Sequence, residues 1–93
     1  MTIKSAEKVL IVLKELRGHT LSGVSVSQLA EKLNEVPSQV HRALQTLVKQ
    51  GFVRQDEHDL YYLSTAFVSI AKAHDKELQL AQARIDEIKR LTM

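Results

Sequence analysis

The chain has no cysteine, one proline and three glycines in 93 residues. Without cysteine there is no disulfide and no thiolate metal site, which fits a reducing compartment. No run of about eighteen uncharged apolar residues occurs, so no membrane span is predicted. The amino terminus, Met1 to Lys8, lacks the apolar stretch of a signal peptide, and a cytoplasmic protein is the expectation. Catalytic signatures are missing too: there is no glycine-rich phosphate loop, no nucleophile elbow and no His-Glu-x-x-His. His19, His41, His58 and His74 fall in separate segments without metal-ligand spacing, so neither a metal nor a cofactor is expected. The chain reads as a single non-enzymatic domain with one modest core.

Net charge is only +2, but it is unevenly distributed. Met1 to Arg54 carries eight bases against four acids, and Gln55 to Met93 five bases against seven acids. The first part is suited to face phosphates while the second does something else.

Apolar spacing predicts a mainly α chain. A first helix is expected from Ala6 to about Arg17, capped by Ser5, closed by Gly18 and buried along Ala6, Val9, Leu10, Leu13 and Leu16. Ser25 and Gln28 form a capping box, which starts a second helix at Val26. Asn34 and Glu35 make a turn, and Pro37 suits the first turn of a third helix that stops at Gly51. The inner face of that helix is Val40, Ala43, Leu44, Leu47 and Val48. Phe52 to Gln55 and Leu60 to Leu63 are β-prone runs around the polar turn Asp56-Glu57-His58-Asp59, a hairpin. A hairpin directly after a helix-turn-helix is a wing, so the fold class is winged helix-turn-helix: three helices plus a β-hairpin wing, followed by a long C-terminal helix.

The outer face of the third helix carries Ser38, Arg42, Gln45, Thr46 and Lys49, flanked by Gln39 and His41. A short polar helix of this kind is what the major groove of double-stranded DNA accepts. Arg42 suits a guanine edge or a phosphate, and the two glutamines suit adenine or remain solvated. His41, at the edge of the face, suits a phosphate as well as a base. Lys49 and Arg54 are candidate phosphate contacts. The acids at the wing tip oppose a phosphate backbone, so the tip is expected to point away from DNA.

Ser64 caps the last helix, which meets no glycine or proline up to Leu91. Leu78, Ala81, Ile85 and Ile88 step at three- and four-residue spacing, as in a coiled coil. Phe67, Ile70 and His74 continue the stripe upstream, with a stutter at Leu78. The organisation expected is a winged domain over residues 1–73 and a dimerisation helix over residues 74–93, with either direction of pairing open; the alternative is that the last helix folds back to cover the first.

The chain resembles the DNA-binding domain of IclR-type regulators. The resemblance rests on Ser5-Ala6-Glu7-Lys8-Val9-Leu10, Val26-Ser27-Gln28-Leu29-Ala30, Ser38-Gln39-Val40-His41-Arg42-Ala43-Leu44, Leu47 to Val53, and Tyr61-Tyr62-Leu63-Ser64. It implies that the third helix reads bases and the wing touches the backbone. Gln39 stands where the family commonly has threonine, and Pro37 sits about one residue late. The family's small-molecule effector domain is not expected within these 93 residues. The function expected is a homodimeric, sequence-specific DNA-binding regulator of transcription. The alternatives are an adaptor that holds a partner protein with the long helix, and a subunit that folds only with another chain.

Overall fold

Helix positions follow from where side chains can be buried and ends satisfied, and the computed structural model, which describes residues 1–93, shows both. The elements run α1 (Lys4–Glu15), α2 (Val26–Leu33), α3 (Pro37–Lys49), β1 (Val53–Gln55), β2 (Tyr61–Leu63) and α4 (Thr65–Thr92). The chain is a winged helix-turn-helix with a long final helix.

Two expectations for α1 are corrected. Ser5 lies inside the helix; Ile3 holds the N-cap position with no side-chain cap, and its carbonyl accepts from Glu7 N–H at 2.9 Å. Leu10 is not buried but 54% exposed, and the neighbouring Ile11 is 47% exposed. Ala6 is exposed as well; Val12 and Leu16 are the buried pair, with Val9 and Leu13 half-buried beside them, because α1 turns that side to the domain core. Gly18 takes a φ of +82°, a conformation open to glycine at no steric cost, and ends the turn after α1.

The capping box of α2 forms as its spacing requires: Ser25 Oγ accepts from Gln28 N–H at 3.1 Å and Gln28 Oε1 from Ser25 N–H at 2.9 Å. Asn34 closes α2 in the left-handed region, and Pro37 opens α3 where no donor is lost. Strands β1 and β2 pair antiparallel, with Val53 opposite Leu63, Arg54 opposite Tyr62 and Gln55 opposite Tyr61. Val24 adds one bridge to Tyr61, tying the loop before α2 to the hairpin.

Twelve residues form the core, all hydrophobic, with Leu16 and Leu44 at 0% exposure and Tyr61 at 1%. Full burial of one such aliphatic side chain contributes about 1.5–3 kcal/mol, so a core this small tolerates few losses. A salt bridge of 2.7 Å from Lys32 to Glu15 links α2 to α1, and that hydrogen bond holds the Glu15 carboxyl below its usual range.

Helix α4 leaves this core almost at once. Phe67 packs edge-on against Phe52, with ring centroids 6.3 Å apart, but every residue from Ser69 to Met93 is exposed. The radius of gyration is 18.4 Å, against about 12 Å for a compact domain of this length. The excess is the projecting helix.

Gly23 is confined by packing. A Cβ there would lie 2.6 Å from Tyr62 Cζ and 2.7 Å from Leu60 Cβ. Gly23→Ala should therefore cost roughly 1–3 kcal/mol in urea unfolding. An unchanged midpoint would show that the loop can withdraw from β2 freely.

Candidate nucleic-acid interface

Burial of Val40, Ala43, Leu44 and Leu47 fixes the rotation of α3 and turns its polar side outward. Ser38, Arg42, Gln45 and Lys49 recur at four, three and four residues, so they share the centre of the exposed face. Gln39 and Thr46 lie toward α1, and His41 lies at the opposite edge. Arg42 and Lys49 take part in no salt bridge of the fold. Thr46 Oγ1 donates back to Arg42 O at 3.0 Å, so its hydroxyl proton is engaged within the helix.

Both glutamines are held by the fold. Lys8 Nζ donates to Gln39 Oε1 and also pairs with Glu35 at 3.8 Å, so α1, the turn and α3 meet there. Gln45 Nε2 donates to Tyr61 Oη at 3.1 Å and to Gln55 Oε1 at 3.3 Å, and Gln55 Nε2 donates to Asp59 Oδ1 at 2.8 Å. These bonds clamp the wing to α3. Gln39 keeps its amide donors unengaged within the fold, and Gln45 its carbonyl acceptor.

The sequence reading missed two cations. Lys4 and Lys8 line an open groove between α1 and α3 together with Gln39, Arg42 and Thr46. Their four-residue spacing on α1 was a readable signal; that this side of α1 borders α3 was not.

Arg54 stacks on the Tyr62 ring, its guanidinium carbon 3.9 Å from the ring centre. Two of the three acids of the wing tip, Asp56 and Asp59, serve the turn, while Glu57 lies exposed 3.6 Å from His58 Nε2. Asp56 accepts from Leu60 N–H at 3.0 Å, His58 N–H at 2.9 Å and Tyr62 Oη at 2.8 Å. Asp59 takes a φ of +59°.

The bond from Leu60 N–H is the main cause that holds the Asp56 carboxyl below its ordinary value, followed by those from Tyr62 and His58. The same carboxylate raises the Tyr62 phenol. No group of three or more His, Asp, Glu or Cys side chains could hold a metal ion. No helix is long and apolar enough to cross a membrane.

The family model of the IclR helix-turn-helix domain matches residues 5–57. The chain belongs to that family. Among solved structures, Pseudomonas aeruginosa HmgR is 31% identical with a TM-score of 0.73, covering 86% of this chain and 34% of HmgR. The IclR transcriptional regulator of Alicyclobacillus acidocaldarius is 27% identical with a TM-score of 0.67, covering 78% of this chain and 30% of that protein. The IclR-type chain thus spans about a third of the length of these two proteins.

The Zα domain of cyprinid herpesvirus 3 ORF112, whose structure concerns its binding to Z-DNA, is 30% identical with a TM-score of 0.56. The match covers 62% of this chain and 93% of that domain. Curated protein sequences contain no match to this chain. Its fold is a DNA-binding regulator fold, and α3 occupies the position of the second helix of the helix-turn-helix.

The Asp56 cluster sets a pH window for the wing. Its depressed carboxyl contributes stability above the ordinary aspartate value of about 3.9, and that contribution is lost as pH falls through the lower folded value. The raised Tyr62 phenol contributes below about 10, and loses that contribution as pH rises through the higher folded value. Acidification should lower the urea midpoint more in the natural chain than in Asp56→Asn. Equal acid sensitivity of the two would remove Asp56 from the stability of the wing.

Proposed function

We propose that this chain is a cytoplasmic, dimeric regulator of transcription that binds a specific site in double-stranded DNA through α3 and the wing. The observation that carries this reading is the row Ser38, Arg42, Gln45 and Lys49 on the second helix of an IclR-type helix-turn-helix, with Arg42 and Lys49 free of ion pairs. Arg42 reads a guanine edge with two hydrogen bonds, while Ser38, Gln39, Gln45, Thr46 and His41 supply adaptable contacts around it. Lys49, Arg54 and the two α1 lysines neutralise phosphates and orient the domain. Similarity to a domain that binds Z-DNA adds support for a nucleic-acid partner. The exposed Leu78, Ala81, Ile85 and Ile88 supply the dimer seam.

Arg42→Ala should weaken the preferred site by about 1–3 kcal/mol and relax preference at one base pair. Lys49→Ala and Arg54→Ala should lower affinity evenly across sequences and each flatten the salt dependence by about one unit. Binding titrations at several salt concentrations read both effects. Unchanged site preference in Arg42→Ala would take that residue out of base recognition.

Replacing Leu78 and Ile85 with aspartate should leave a folded monomer whose apparent affinity falls by about 10²–10⁴-fold through lost avidity. Unaltered affinity would mean that one winged domain suffices.

One observation favours the adaptor reading, the exposed apolar stripe of α4. An adaptor has no reason to show salt-dependent retention on duplex DNA, so that single property separates the two.

A further inference from the structure

From Ala71 to Ile88 every residue of α4 is exposed, and no other element covers it. Ala71, His74, Leu78, Ala81, Ile85 and Ile88 are spaced three, four, three, four and three residues apart. Counted through Ala71 rather than Ile70, the seam is an unbroken heptad pattern back to Phe67, and the stutter expected at Leu78 disappears. Ile70 lies on the flank, 60% exposed.

The two kinds of core position differ in size. Ala71, Leu78 and Ile85 occupy one kind, and His74, Ala81 and Ile88 the other. A parallel pair in register sets each residue against itself. Alanine then faces alanine at 71 and 81, which leaves voids, and two imidazoles meet at 74. An antiparallel pair sets one kind against the other: Ala71 meets the partner's Ile88, Leu78 the partner's Ala81, and Ile85 the partner's His74. Large then packs against small, or aliphatic against imidazole, and the two-fold axis repeats each contact.

The flanks point the same way. Ile70, Glu77, Arg84 and Leu91 precede the first kind of core position. In the antiparallel pair Glu77 lies beside the partner's Arg84, and Ile70 beside the partner's Leu91. On the other flank, Asp75 meets the partner's Gln82. A parallel pair would instead bring Arg84 against the partner's Lys89, a like-charge contact made twice.

The geometry points to an antiparallel α4–α4 pair with a second copy of this chain, in the register that sets residue 71 against 88. This rests on the dimer reading above and adds direction and register to it. The N-caps at Ser64 then lie roughly 45 Å apart along the paired helices. The two winged domains sit at opposite ends of a rod, not side by side.

The cysteine-free full chain allows a direct test. Ala71→Cys and Ile88→Cys are prepared separately, mixed in equal amounts and oxidised mildly. The antiparallel pair yields the mixed 71–88 disulfide as the main product, since facing core Cα atoms fall within the range a disulfide spans, about 4.4–6.8 Å. Mainly 71–71 and 88–88 products would overturn the antiparallel arrangement and leave the dimer reading standing. A chain that sediments as a monomer throughout the micromolar range would overturn both.

Charge substitution reads the same question without cysteines. Arg84→Glu sets Glu77 against a second acid in the antiparallel pair and should raise the dimer dissociation constant about tenfold. Adding Glu77→Arg should restore it. In a parallel pair Arg84→Glu would face Lys89 and tighten the dimer, and that result would overturn the proposal.

Discussion

Burial of the inner face of α3 is the constraint on which the rest of the molecule depends. Leu44 is fully enclosed in the same cluster as Leu16 and Tyr61, and Val40, Ala43 and Leu47 lie along the same side of the helix. Rotating α3 enough to bring Arg42 inward would expose leucine and bury an unpaired guanidinium, and both changes are costly. The outer row is therefore presented as a rigid edge, and recognition of a base edge needs that rigidity. The cations of α1 share this dependence, since the groove that holds Lys4 and Lys8 exists only where α1 packs on α3.

The wing is held to this helix by polar bonds as well as by packing. Gln45 joins Tyr61 and Gln55, and Gln55 joins Asp59, so a side chain suited to reading a base also sets the position of the hairpin. In the proposed function, recognition and stability are coupled at that residue. Arg54 is likewise restrained by the Tyr62 ring, which would reduce the conformational freedom lost in the proposed phosphate contact. Asp56 and Asp59 are engaged in the hydrogen bonds of the turn, which accounts for two of the three acids beside a surface that faces DNA in the proposed function; Glu57 stays exposed beside His58.

Much of the fold was legible in the residues because local chemistry and burial agreed. The capping box of Ser25 and Gln28, Pro37 at the start of α3, the inner row of α3 and the hairpin all appear where their sequence signals place them. Helix α1 was harder to read because its apolar residues cover more than one face. Periodicity alone could not choose between the row through Ala6 and Leu10 and the row through Val9 and Val12; the packed domain does. Ser5 has the chemistry of a cap, but the chain becomes helical at Lys4, two residues before the expected start at Ala6. The contact of Lys8 with Gln39 joins residues 31 apart in sequence. The clamp through Gln45 crosses from helix to hairpin. Neither leaves a local pattern to read.

Helix α4 separates the two tasks of the molecule. Its root, at Phe67, belongs to the winged domain, and its remaining length stands exposed; in the proposed dimer that length sets how far apart two winged domains are held. Selection of bound fragments from a random duplex library asks whether α3 reads DNA sequence as proposed. Sequence reading by a dimer predicts enrichment of one short motif, present in two copies at a fixed spacing and retained less as salt rises. A bound pool that stays random in sequence, or retention indifferent to salt, would contradict it.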